Sequence, residues 1–275
     1  LEANPFSLVK TNTTPDDCGI RDSPYAPCCM SVVKRGMIKQ NLRPWQRLIR
    51  RGETHTDGEH HIKRKICEIG REMNESGLAL FLGAYAPGNL SAREPASSLI
   101  HVTPSGLSKG ELKPDDLVTV NLSGERVGGK LRASTETPMH CSIYRRRPDV
   151  NGIVHAHSPM SMAYAVTNKE LQVTTIELAG VAGGRVPIAR YVTPGTEELG
   201  EVTLEALGSG NAVIMQNHGL VTVGTTLREA FDTALSVEYT ATVNLYGNLL
   251  GDLVELPAEE VRRIRRSILE RYGQR

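Results

Sequence analysis

From residue 58 onward, short apolar runs of strand length alternate with longer stretches whose apolar residues recur at helical spacing. In IKRKICEIGREMNESG, Ile62, Ile66, Ile69 and Met73 mark one face of a helix that Gly77 can close. LALFLGA (78–84) and SSLIHVTP (97–104) read as strands, and DLVTVNLSGERVGGKL (116–131) as two strands about a glycine turn. STETPMHCSIYRRRPDV predicts a helix with Thr137 as N-cap and Pro138 in its first position, ending before Pro148. NGIVHA reads as a strand, SPMSMAYAV as a helix and LQVTTIE as a further strand. NAVIMQ and GLVTVG are two strands joined at Asn217–His218. The pair Thr226 and Glu229 forms a capping box that opens LREAFDTALSVEYTATVNLYG. A terminal helix, PAEEVRRIRRSILERY, turns Val261, Ile264 and Ile268 inward. Such mixing predicts an α/β fold in one domain, residues 56–275. Residues 1–55, rich in proline and weak in periodicity, read as a partly irregular extension with a basic run, RPWQRLIRRG.

Within this frame, GIVHAHSP puts His155 and His157 one residue apart. On a strand both leave the same face, together with Ile153, while Val154 and Ala156 point away. Such a pair suits polar surface as well as a metal. A third imidazole, His218, sits in a tight turn between two apolar strands. A turn histidine can simply bond backbone. Together, however, three neutral imidazoles match the open ligand set of a catalytic metal, with a position left for substrate. Glu136, at a loop–helix junction, supplies a carboxylate that could exchange protons beside the cation.

Three further segments carry short donors, two of them with glycine: APGNLSARE (Gly88, Asn89, Ser91, Arg93), VTPSG (Thr103, Ser105, Gly106) and RAST (Ser134, Thr135). Loops of this composition can wrap a phosphate, and each by itself is an ordinary turn. None is a G-x-x-x-x-G-K-[ST] loop, which argues against a nucleoside triphosphatase.

Composition narrows the partners. The formal net charge is +1 and aromatic residues make up 4%, so neither a global basic field nor a stacking platform selects nucleic acid. No apolar run reaches the roughly 20 residues of a membrane span. The N-terminal segment lacks the basic-then-apolar order of a signal peptide. The five cysteines (Cys18, Cys28, Cys29, Cys67, Cys141) form no C-x-x-C pair, which suits a reduced, cytoplasmic setting.

Taken as a set, GNLSAR (88–93), TPSG (103–106), STETPMHCSIYRRRPDVNGIVHAHSP (134–159) and MQNHG (215–219) resemble the class II aldolase/adducin family in order and spacing, over about residues 58–250. The resemblance implies a three-layer α/β/α sandwich around a mixed, largely antiparallel sheet, assembled as a homotetramer with sites near subunit interfaces. It implies Zn2+ on His155, His157 and His218, with Mn2+, Co2+ or Fe2+ as other fits, and Glu136 as the acid/base. Asn89, Gly106, Ser134 and Thr135 match the phosphate-binding positions, with Ser-Thr where the family often has Ser-Ser. The implied reaction is aldol cleavage or formation of a carbon–carbon bond in a small phosphorylated ketose, through a metal-bound enediolate. The epimerase branch usually carries aspartate at the position of Glu136, which favours the aldolase branch. One departure stands out: Glu177 occupies the place of a tyrosine that fuculose-phosphate aldolases contribute across the subunit boundary. It is a candidate second acid/base, and it keeps decarboxylation, dehydration or epimerisation of a related sugar phosphate or sugar acid open. Adducin-like relatives without enzymatic activity lack the metal histidines that this chain retains.

Overall fold

A computed structural model describes residues 58–79, 86–94 and 97–271. Helix α1 (Gly58–Glu75) forms as its periodicity predicts, and buries Ile66, Ile69 and Met73. Among the described residues the chain also builds an eight-stranded sheet: β1 (Asn89–Arg93), β2 (Ile100–Val102), β3 (Val118–Val120), β4 (Arg126–Gly128), β5 (Gly152–Ala156), β6 (Ile188–Ala189), β7 (Ala212–Met215) and β8 (Gly219–Gly224). The strand order is β4-β3-β2-β1-β5-β8-β7-β6, and every pairing is antiparallel except β6 with β7. The helices are α2 (Thr137–Arg146), α3 (Pro159–Thr167), α4 (Ile176–Ala182), α5 (Glu197–Leu207), α6 (Leu227–Leu250) and α7 (Ala258–Arg271).

The period-two alternation of the central strands divides the core into two layers. Leu90, Val154, Ala156 and Leu220 pack toward α1, α3, α4, α6 and α7, which supply Met73, Ala165, Leu178, Phe231 and Val261. Ile153, Val102, Val213 and Val221 pack on the opposite side, against Met139 and Ile143 of α2 and Leu199 and Val202 of α5. The result is the expected three-layer α/β/α sandwich.

Several local expectations give way. NLSAR is a strand, β1, rather than a loop. LQVTTIE is not a strand: Leu171 makes a single bridge to Val186, and Thr175 then caps α4 by accepting from the Leu178 amide. Threonine is a favoured N-cap because its hydroxyl accepts from a first-turn amide that has no partner within the helix. The N-cap of α2 is Glu136, with Thr137 and Pro138 one position further into the helix than expected. Leu78 and Ala79 form a bend, and residues 80–84 of that run lie outside the described residues, as do residues 1–55 with their basic run and the Cys28–Cys29 pair.

Candidate metal site

The site lies at one end of β5. His155 is the fourth residue of that strand, fully buried on the α2 side of the sheet. Its Nδ1 lies 2.9 Å from the Leu220 carbonyl of β8. That carbonyl only accepts, so Nδ1 carries the hydrogen and Nε2 faces inward. His157 comes just past the strand end, with its Nε2 2.9 Å from His155 Nε2. His218 comes from the β7–β8 turn, where Asn217 takes a left-handed conformation (φ 56°) and the His218 amide bonds the Met215 carbonyl. The ring centroids stand 4.7, 4.9 and 5.1 Å apart, edge to face. One nitrogen from each ring falls within 4.8 Å of the others. Gly219 makes this approach feasible: a Cβ there would sit 2.6 Å from the Ala156 carbonyl oxygen and 3.0 Å from His155 Cε1.

Glu136 completes the cluster. It is the N-cap of α2, yet its side chain makes no cap bond and turns to the imidazoles instead. Oε2 lies 2.9 Å from His155 Nε2, and Oε1 lies 2.8 Å from His218 Nε2. Asn89 Nδ2 donates to Oε2 at 3.1 Å. Burial alone would push the Glu136 carboxyl up; His155 and His218 outweigh it and hold the group well below the usual carboxylate range. Burial likewise pushes His155 down, and the Glu136 carboxylate and Leu220 carbonyl more than offset it, leaving His155 raised. His157, with burial and two neighbouring imidazoles against it, is pushed down to about 3 and stays neutral.

This donor set fits a divalent cation. Two Nε2 atoms 2.9 Å apart cannot both direct lone pairs at each other without a proton or cation between them. Three imidazoles plus a carboxylate are the ligand chemistry of zinc and its neighbours.

The glycine and hydroxyl segments gather around the same carboxylate. Gly88 has φ 78°, and a Cβ there would lie 2.7 Å from the His155 carbonyl oxygen, so the lead into Asn89 runs directly against β5. Thr103 fastens two segments: it exchanges bonds with Leu90 through its amide and Oγ1, and its carbonyl accepts from the Ser134 amide at 3.2 Å. Ser105 donates from its amide to the Arg132 carbonyl, and Pro104 bridges Ala133. The Gly106 and Thr135 segments are thus zipped together, with both residues exposed. Ser134 Oγ accepts from the Glu136 amide at 3.3 Å. The Asn89 Oδ1 is buried with no hydrogen-bond partner among the described residues.

Some residues take other roles than their composition suggests. Arg93 does not face an anion; its guanidinium donates to the Tyr144, Pro148 and Val150 carbonyls and braces the α2–β5 connection. Ser91 is buried with its Oγ 2.6 Å from His140 Nδ1 and 2.9 Å from Tyr144 Oη. Sequence reasoning does not single out Lys109. It is buried, with Nζ donating to the carbonyls of Ala86 (2.8 Å) and Leu107 (3.1 Å), and so ties the segment ahead of Asn89 to that behind Gly106. Burial pushes its pKa down to about 8. Its neighbours SKGELK look solvent-facing, and only the contact with α1, where a Cβ on Gly70 would lie 2.5 Å from the Lys109 carbonyl oxygen, shows otherwise. Glu177 stands exposed in the first turn of α4, and no hydrogen bond or ion pair links it to Glu136 or the histidines.

Comparison with known proteins places the chain in a family. The profile of the family described as Class II Aldolase and Adducin N-terminal domain matches residues 64–245. The chain is 34% identical over 212 residues, 77% of its length and 97% of the relative's, to 5-deoxy-D-ribulose 1-phosphate aldolase of Bacillus thuringiensis serovar kurstaki. It is 31% identical over 199 residues, 72% of its length and 89% of the relative's, to L-fuculose phosphate aldolase of Escherichia coli K12. A solved structure of L-fuculose 1-phosphate aldolase superimposes with a TM-score of 0.71 at 31% identity, covering 76% of this chain and 96% of that one. The chain belongs to the class II aldolase/adducin family.

Proposed function

We propose that residues 56–275 form a metal-dependent aldolase that cleaves or forms a carbon–carbon bond in a small ketose 1-phosphate. The observation that carries this reading is the meeting of three imidazoles and one carboxylate beside two hydroxyl-bearing segments zipped into a single rim. His155, His157 and His218 would hold the cation, Zn2+ in the first instance. When bound, it supplies Lewis-acid stabilisation of the negative charge that develops on the substrate's carbonyl and hydroxyl oxygens.

The remaining work falls to side chains. Asn89, Gly106, Ser134 and Thr135 hold the phosphate, so binding energy at that end orients the reacting carbons. In the cleavage direction the hydroxyl beside the scissile bond gives its proton to the Glu136 carboxylate as its carbon becomes an aldehyde. The electron pair of the broken bond stays with the ketose fragment. Glu136 carries the proton that this fragment's carbon receives, and dihydroxyacetone phosphate leaves. Asn89 Nδ2 steadies Glu136 Oε2 throughout. One relative is named for 5-deoxy-D-ribulose 1-phosphate and another for L-fuculose phosphate, which supports a small phosphorylated ketose as the substrate.

Glu177 supports a second reading. An exposed carboxylate in the first turn of α4 cannot act as the neutral donor that a phenol is, and as a second acid/base it would suit decarboxylation, dehydration or epimerisation on the same site. One experiment separates the readings. Zinc-loaded protein is incubated with a panel of ketose 1-phosphates and phosphorylated keto acids, and product masses are read. A triose phosphate plus an aldehyde is expected; loss of CO2 or of water, or an unchanged mass with altered configuration, replaces the aldolase reading with the second. In the same assay E136Q should keep its metal and turn over roughly 10²-fold more slowly, while H155A should lose metal and activity with the fold intact. Full turnover by metal-free H155A removes the metal reading.

A further inference from the structure

His157 lies beyond the last rung of the β5 ladder, Ala156 opposite Leu220, so the sheet alone does not fix it. The chain passes from His157 directly into α3. The first amides of a helix lack partners within the helix and need an acceptor from elsewhere. The N-cap of α3, Ser158, makes no side-chain cap bond to them, and Pro159 has no amide hydrogen. The acceptor comes from α6. Glu238 Oε1 accepts from the Met160 amide at 2.8 Å, and Oε2 accepts from the Ser161 amide at 2.9 Å. Oε2 also accepts from Ser158 Oγ at 2.7 Å and Ser161 Oγ at 2.8 Å. Both serines are fully buried. One carboxylate thus takes four hydrogen bonds and sets a negative charge at the positive end of the helix.

The far end of α3 reaches the third imidazole. The Ala165 carbonyl accepts from the Asn217 amide at 3.2 Å, within the turn that presents His218. α3 therefore spans two of the three histidines: Ser158 adjoins His157 in the chain, and Ala165 holds the residue before His218. His155 is independent of this helix, being held by its own strand and the Leu220 carbonyl.

We propose that Glu238 is a positioning residue for the metal centre, acting through α3 on His157 and His218. This rests on the proposed metal role of those histidines. Through Ser158, Glu238 stands one residue behind His157, a step further back than the groups that hydrogen-bond metal ligands directly, whose loss weakens binding roughly 10- to 100-fold. The variant E238Q keeps the shape of the side chain but turns an amide NH2 toward groups that themselves donate.

The test measures Zn2+ affinity by competition with a chromophoric chelator, and the visible spectrum of the Co2+-substituted protein, on full-length chain. Wild type, E238Q, H155A and T240V are compared. T240V is the control: Thr240 lies half a turn further along α6, where its Oγ1 meets Thr175 Oγ1 at 2.7 Å, away from α3. E238Q should bind Zn2+ about tenfold or more weakly and shift the Co2+ bands, with T240V close to wild type in both. Wild-type affinity and spectrum in E238Q, or equal losses in E238Q and T240V, overturn the proposal. Should E238Q fail to fold, S158A, which removes the one clamp bond adjacent to His157, is judged in its place by the same criterion. Failure of the metal reading itself looks different: wild type and H155A would then bind Zn2+ equally.

Discussion

At the scale of single residues, the chemistry of the site is legible in the sequence because the residue types themselves carry it. A His-x-His pair on a strand, a histidine in a tight turn and a glutamate before a helix have few joint uses, and the structure brings all four side chains together. The groups that hold them are not legible. Ser91 and His140 are 49 positions apart, and Glu238 and Ser161 are 77 apart; only the topology pairs them. His140 shows what such hidden contacts cost. It is fully buried one turn into α2, and burial pushes its pKa down to about 3. The unfolded chain takes a proton there below about pH 6.5 while the folded chain does not. The stability contribution of a neutral His140 is therefore complete above that pH and drains away as pH falls toward 3, by up to about 1.4 kcal/mol per unit. In thermal melts of metal-free protein between pH 4 and 7, H140N should show a flatter dependence of Tm on pH than wild type, whatever its absolute Tm. Parallel curves would assign the acid sensitivity elsewhere.

At the scale of elements, apolar periodicity locates most helices and strands, and it fails where polar groups are buried. β1 hides from the pattern because Asn89, Ser91 and Arg93 dilute its hydrophobic signal; each is accommodated by a side-chain bond that the local sequence does not announce. α5, capped by Thr196, hides because its glycine and glutamates dilute the apolar period. Gly200 within it is required by packing, since a Cβ there would lie 2.7 Å from Ser142 Oγ. The β7–β8 turn makes the sharper case. Its Asn217–His218–Gly219 sequence reads as a junction of two strands, and the structure adds the reason for the glycine. G219A would press a methyl group on the Ala156 carbonyl and the His155 ring. A loss of about 1–3 kcal/mol in stability is expected from overpacking of this kind, with a larger proportional loss of Zn2+ affinity because the displaced groups are ligands in the proposed site. Chemical denaturation and metal titration of G219A together check this; an affinity unchanged beside a lowered stability would mean that the ring triangle tolerates the shift.

At the scale of the molecule, one surface stands apart. The C-terminal half of α6 exposes Tyr239, Tyr246 and Leu250, spaced to lie along one face, and Leu249 is exposed in the same half. Leu250 is 92% exposed. Exposed apolar side chains aligned along a helix favour association between chains. A Y246E/L250E double variant should sediment as a smaller species than wild type while keeping its Zn2+ content; an unchanged sedimentation coefficient would move the interface to another face. No helix among the described residues is long and apolar enough to cross a membrane.

The three imidazoles also join parts of the chain that meet only once the sheet has closed: His155 and His157 belong to β5 and its exit, His218 to the hairpin that pairs with it. On the proposed reading, a cation seated there would behave as a removable cross-link between distant segments. Cofactor loading and resistance to unfolding would then be a single linked equilibrium, in which scarcity of the ion loosens the architecture as well as silencing the chemistry.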